Sequence, residues 1–234
     1  MIGTFLNIAT VLVGGILGLA FGARLPERVR STVLAGMGLF TAAIGLRLFF
    51  QTLNPLYALG GLLIGGLLGE WWRIEDRLAG LGARLETRFA GGTVGGSNFV
   101  RGFLTASLLF CVGPMTVLGS IQDGLTGDYS LLAIKSVLDG FGSLALASTL
   151  GIGVLFSILV ILVYQGGLTL LASGAQALLS DAMVAEMTAV GGILLVGLAV
   201  SSLLEIKPIR SGNLLPALLV SPLLVWIVSL FASG

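Results

Sequence analysis

The chain has 234 residues, 56% of them hydrophobic and 10% charged, with 36 glycines, no histidine and a mean hydropathy of +1.08. A water-soluble domain carries about 25% charged residues, so this composition points to an integral membrane protein. Twelve Lys and Arg against 11 Asp and Glu leave a formal charge of +1, too little basic surface to hold nucleic acid by its phosphates.

Without histidine there is no Ser-His triad, no His-ligated metal and no HExxH site, and a single cysteine excludes an internal disulfide and a thiolate cluster. GxxxxGK[ST], GxGxxG and GxSxG are all missing, so nucleotide-driven transport by this chain alone is not expected. No cofactor and no metal site are expected, and an intramembrane enzyme is the least favoured reading.

A crossing helix needs about 20 mostly apolar residues. That rule predicts an all-α polytopic membrane protein, a single transmembrane domain over 1–234 with about eight spans. They cover 2–22, 31–50, 53–69, 99–121, 130–148, 152–172, 187–204 and 213–231. The third is short, and the fourth carries Pro114 where a helix breaks, so seven spans plus a re-entrant segment is the variant. Met1 leads directly into the first apolar stretch with no positive n-region and no small-residue cleavage site, which reads as a retained helix.

With the N-terminus outside, ten of the 12 basic residues fall on one side: Arg24, Arg28 and Arg30, then Arg73, Arg77, Arg84, Arg88 and Arg101, then Lys207 and Arg210. Arg47 alone lies opposite and Lys135 sits inside a span. The positive-inside rule makes the crowded side cytoplasmic and puts both termini outside. The outer loops are then assigned Asp123, Asp128, Asp181 and Glu186, with Glu186 read as an acid favouring the start of the seventh helix.

The one sizeable loop, 70–98, starts as an amphipathic helix that lies in the cytoplasmic interface or packs on the bundle. Trp71, Ile74, Leu78, Leu81, Leu85 and Phe89 recur at three and four, opposite Arg73, Asp76, Arg77, Arg84 and Arg88. The glycine-rich stretch from Gly91 to Gly96 then serves as a joint. Glycines also repeat every four residues at Gly14, Gly18 and Gly22 and at Gly61, Gly65 and Gly69, which reads as packing seams between helices or between protomers of a homodimer. Glycine spacing around Gly36 to Leu46 resembles that around Val190 to Leu198, and Asn54-Pro55 opens the third span as Asn213 to Pro216 opens the eighth. An inverted repeat of spans one to three in spans six to eight is the reading that would explain both.

The strongest chemical signal lies in the fifth span, where Lys135, Asp139 and Ser143 share one helical face at spacings of four. Each charge costs about 2.5–3.5 kcal/mol at mid-membrane, so this face turns to the bundle interior or to water. It is either a structural ion pair or part of an ion or substrate pathway. Gly113 and Pro114 break the fourth span and should free carbonyls such as those of Phe110 and Cys111, with Thr116, Ser120, Gln122 and Asp123 converging as polar ligands. Cys111 reads as a small packing residue, and Gln165 and Asn7 as polar groups that hydrogen-bond across helices or touch substrate.

The runs GFLTASLLFCVGPMTVLGSIQDGLTGD, KSVLDGFGSLALASTLGIGV, YQGGLTLLA, EMTAVGGILL and GNLLPALL resemble the YqgA/YdfK-like family of bacterial inner-membrane proteins, a domain of unknown function. The resemblance extends from the first span to the last. It implies a polytopic inner-membrane protein built as one module and supplies no substrate. On the residues themselves, a secondary transporter or ion-coupled carrier for a small ion or solute comes first. An oligomeric channel is second and a non-transporting scaffold or sensor third. Expected partners are the lipid bilayer, a small ion or solute and a second protomer.

Overall fold

The structure is a computed structural model that describes residues 1–22, 25–89, 96–172, 174 and 179–232. Among these the chain is helical and contains no strand. The helices are α1 Ile2–Gly22, α2 Glu27–Phe49, α3 Pro55–Trp72, α4 Ile74–Phe89, α5 Gly96–Cys111, α6 Pro114–Thr126 and α7 Ser130–Leu150. A 3-10 turn, Ile152–Phe156, leads into α8 Ser157–Leu170. Helix α9, Asp181–Leu198, ends in a π turn, Ala199–Leu203, and a 3-10 turn at Ser211–Leu214 precedes α10, Ala217–Ala232.

Among the described residues six helical segments are long and apolar enough to cross a membrane, and seven if the bent pair α5 and α6 counts as one. The expected eight are therefore met in part. The third span is helical as α3, but Glu70, Trp71 and Trp72 occupy its last turn and dilute its apolar length. The fourth is broken at Gly113, where α5 and α6 meet at 61°. Proline suits the first position of a helix because its missing amide has no partner there anyway, so Pro114 starts α6 as it interrupts the longer run.

Polarity is distributed opposite to that of a soluble domain. Leu39, Phe40, Leu67, Val163, Leu170 and Phe231 are strongly exposed, while Thr4, Asn7, Lys135, Asp139, Gln165 and Glu186 are buried. Such a surface suits a hydrocarbon solvent, and the buried polar groups must find partners inside.

The glycine repeats are contact seams between helices of this one chain. A side chain at Gly14 would come within 2.0 Å of the Gly140 carbonyl oxygen, and at Gly18 within 2.2 Å of that of Leu144. Positions 14, 18 and 22 meet 140, 144 and 148 in ascending order, so α1 and α7 run parallel, backbone against backbone. Gly61, Gly65 and Gly69 meet Ser221, Ala217 and Asn213 in descending order, which makes α3 and α10 antiparallel. Helices α2 and α9 are antiparallel too, Gly38 facing Leu204 and Gly45 facing Gly192. So are α1 and α8, with Thr4 opposite Thr169 and Asn7 opposite Gln165.

With Arg47 left at the far end of α2 and Lys135 inside α7, these pairings gather most of the described basic residues at one end of the molecule. There Arg30 donates to the Gly22 carbonyl, Arg101 binds the Ser202 carbonyl and Glu205, and Arg210 pairs with Glu70 at 2.7 Å. Arg24 lies outside the described residues.

Helix α4 packs across this end, but its buried face differs from the expected stripe. Arg73 in the left-handed conformation (φ 48°) ends α3, so Trp71 belongs to α3 and is 80% exposed. Leu81 is exposed, whereas Gly82, against Phe103, and Glu86 are buried. Gly82 lets α5 approach, and that contact rotates the inward face away from Leu81. Except for Gly96, the expected glycine joint lies outside the described residues.

Candidate functional site

Helix α7 brings Lys135 and Asp139 one turn apart, and the two form an ion pair with both side chains buried. The close α1–α7 seam puts Asn7 within reach of it. The Asn7 side-chain amide donates to Asp139 Oδ2 at 3.0 Å and to Gln165 Oε1 on α8 at 2.9 Å. The network continues through Gln165, whose amide lies 3.4 Å from Thr4 Oγ1, to the Thr4 and Thr169 hydroxyls, 3.5 Å apart. Three helices thus share one polar core. Ser143, a turn further along α7, donates to the Val11 carbonyl at 2.7 Å and ties α7 to α1 beneath the pair.

From the other side α6 faces α1. Asp123, expected in an outer loop, is instead buried within α6, where its Oδ2 accepts from the Gly3 amide at 3.1 Å and the Met1 ammonium at 3.0 Å. The bend at Gly113 tilts α6 so that this acid turns inward. Ser120, one turn back on the same face, is also fully buried. The Gly113 break lines a cavity of ≈ 10 Å³ with Cys111, Val117, Tyr164 and Thr188, room for about one water. Cys111 is buried as expected, and its neighbour Phe110 packs against Gly142, about one turn from Asp139 on α7. The break and the ion pair therefore border one region.

Three expectations are corrected. The Phe110 carbonyl is not left without a partner at the break, because it accepts from the Thr116 hydroxyl at 3.2 Å. Gln122 does not join the cluster. It points to the turn after α6 and donates to Asp128 at 2.6 Å, and the Ser130 hydroxyl and amide hold the Asp128 carboxyl below the usual carboxylate range. Glu186 does not serve the start of its own helix, which Ser180 caps through the Met183 amide. Its buried carboxylate accepts from the Leu53 and Asn54 amides, at 2.7 and 2.9 Å, and from the Thr52 hydroxyl at 2.7 Å, holding the turn that opens α3.

A matching clasp sits at the opposite end. Glu75 on α4 accepts from the Gly212 amide at 2.8 Å, and Glu70 accepts from the Asn213 side chain at 2.6 Å, which fixes the turn that opens α10. Burial pushes the Glu75 carboxyl above its usual range, and the Gly212 amide opposes that shift. Sequence reasoning missed both clasps and the central place of Asn7. The signal available for Asn7 was its spacing of seven from Gly14, which puts it on the seam face of α1.

Among the described residues no group of three or more Cys, Asp or Glu side chains is placed to hold a metal ion. No solved structure matches the chain. The "Uncharacterized membrane protein YdfK" of Bacillus subtilis (strain 168) is 33% identical, covering 99% of this chain and 98% of its own length. The "Uncharacterized protein YqgA" of Escherichia coli (strain K12) is 32% identical, covering 94% of each. Residues 2–226 match the family described as "Protein of unknown function (DUF554)", and with the apolar exterior this makes the chain a membrane protein of the DUF554 family.

Proposed function

We propose that this protein is a secondary transporter or ion-coupled carrier for a small ion or solute, working at the polar core of α1, α7 and α8. One observation carries the reading: a Lys135–Asp139 ion pair shut away from lipid and cross-bonded through Asn7 to a third helix. A buried pair stabilises a fold little better than apolar residues of the same volume. Ionisable groups at membrane depth therefore point to passage of charge or solute.

Asp139 binds a cation or proton, and Lys135 holds the site neutral when it is empty. The bend at Gly113 and Pro114 lets α6 move against α7. The closed packing of α1 on α7, backbone against backbone, favours a carrier over an open channel.

The chain is read as eight passes, α3 and the bent pair each counting as one, in the bacterial inner membrane with the basic end in the cytoplasm and both termini outside. The antiparallel pairing of α1 with α8, α2 with α9 and α3 with α10 supports an inverted repeat of the first three spans in the last three, an arrangement suited to alternating access.

The test is purified full-length protein in liposomes, with solid-supported-membrane currents recorded against a panel of cations, anions and small metabolites. A ligand-specific, saturable current that Asp139→Asn abolishes is the expected result. Silence across the panel from folded protein overturns the proposal.

A further inference from the structure

The polar core leaves particular atoms open, and their chemistry narrows the cargo. Asn7 must turn its amide nitrogen to Asp139 and Gln165, both acceptors, so its orientation is fixed by its partners. Its carbonyl oxygen, fully buried, is then left with no hydrogen-bond partner. The Ser120 hydroxyl and the second carboxylate oxygen of Asp123 are buried and unpartnered as well.

The three belong together by register. Asp123 meets Gly3, and α6 runs opposite to α1, because a short turn joins α6 to α7 and α7 is parallel to α1. Ser120, a turn back on α6, therefore comes level with Thr4 to Asn7. Gly119 against Leu132 places the same level one turn from Lys135. A row of open oxygens thus leads from Asp123 past Ser120 and Asn7 to the ion pair. A buried oxygen left without a partner is costly, and three along one face call for a common occupant.

We propose that this row binds a small monovalent cation, an alkali ion or a proton carried as hydronium, with the Lys135 ammonium as its tethered competitor for Asp139. The proposal deepens the carrier reading and rests on it. Oxygen ligands suit a hard cation. An anion would need donors, and the ammonium here is already engaged by Asp139. Close backbone packing of α1 on α7 beside the row suits a small ion rather than a metabolite. When the cation arrives Lys135 must release Asp139, and when the cation leaves Lys135 returns, so the empty site is never an unpaired buried acid.

The experiment uses the full chain, wild type and variants, with radioactive sodium binding in detergent and, in liposomes, flux under sodium, lithium, potassium and proton gradients read with a pH dye. Ser120→Ala is the informative variant because its hydroxyl holds no partner in the protein. If the hydroxyl binds nothing, the variant unfolds no earlier than wild type and leaves binding unchanged. As a ligand, its loss should raise half-saturating cation on the order of tenfold. Lys135→Ala should bind sodium more tightly and lose exchange.

Alkali-dependent flux shifted by Ser120→Ala supports a metal ion as cargo. A pH-dye signal that is independent of alkali ions but shifted by the same variant supports the proton. Saturable flux of an anion or neutral solute, untouched by Ser120→Ala, overturns the cation assignment and leaves the carrier standing. Sodium binding that Ser120→Ala weakens, with no flux of any solute, keeps the cation site and overturns the carrier. Absence of both binding and flux in folded protein overturns both.

Discussion

Asp139 receives both the Lys135 ammonium and the Asn7 amide on one oxygen, so the pair is held by its surroundings as well as by its own charges. Removing one member strands the other in a dry interior. Asp139→Ala and Lys135→Ala are each expected to destabilise the protein by about 3–5 kcal/mol, while replacing both by Leu and Met should cost far less. Thermal unfolding of the four proteins in detergent, analysed as a double-mutant cycle, checks this. Near-additive losses would mean that the charges do not depend on each other. Gln122 is the contrast, since it bonds only to the turn at Asp128, and Gln122→Ala should leave both transport and stability within about 0.5 kcal/mol of wild type.

Glu75 gives a pH dependence whose sign follows from its surroundings. Burial raises its carboxyl above 4.5, so the folded protein binds this proton more tightly than the unfolded chain does. Its contribution to stability is full below pH 4.5 and is lost as pH rises through the raised value. Ionising Glu75 should therefore add an excess loss of thermal stability as pH climbs out of the acid range, read as Tm in detergent, even though its own bond to the Gly212 amide favours the charged form. Glu75→Gln, which keeps an acceptor without the charge, should remove that excess. An unchanged excess in the variant would assign the effect to another group.

At the scale of helices, the glycines divide by what they touch. Gly18 faces the Leu144 carbonyl across the α1–α7 seam, so Gly18→Ala must push the two helices apart and should cost about 1–3 kcal/mol. It should also disturb the Asn7–Asp139 bond further along the same seam. Gly36 on α2 has open space around it, and Gly36→Ala should raise stability by up to about 1 kcal/mol through helix propensity alone. Equal Tm changes of the same sign for the two would contradict the seam.

Elements built on local apolar runs are legible in the amino-acid sequence itself. Helix α1 has the expected bounds, and α7 runs two residues past its expected end. Chemistry that depends on distant partners is harder to read. Asp181 and Glu186 look like loop acids, yet α9 begins at Asp181, because Glu186 finds its donors 132 to 134 residues away. Asp123 is misplaced for the same reason, its partners being Met1 and Gly3. Lys135 and Asp139 can be found because their spacing on one helix is itself the signal, whereas the carbonyl freed at the Gly113 break accepts from Thr116, a local bond that composition does not reveal.

For the whole molecule, the pairings of α1 with α7 and α8, of α2 with α9 and of α3 with α10 commit the chain to two ends of different charge, and the membrane turns this into a testable orientation. Exposed Arg77 lies on α4 at the basic end, and exposed Tyr129 lies in the turn between α6 and α7 at the other. Cys111 is buried, so Cys111→Ala supplies a background without competing thiols. In it, Tyr129→Cys should react with a membrane-impermeant maleimide on intact cells, and Arg77→Cys only after the membrane is opened. The reverse pattern would invert the protein and override the basic-residue bias. Labelling of both from one side would mean that the segment from α4 to α7 does not cross, contradicting the reading of the bent α5–α6 pair as one pass. The row of open oxygens begins near Asp123 at the Tyr129 end, so the orientation this labelling finds also fixes the side from which a cation reaches the polar core.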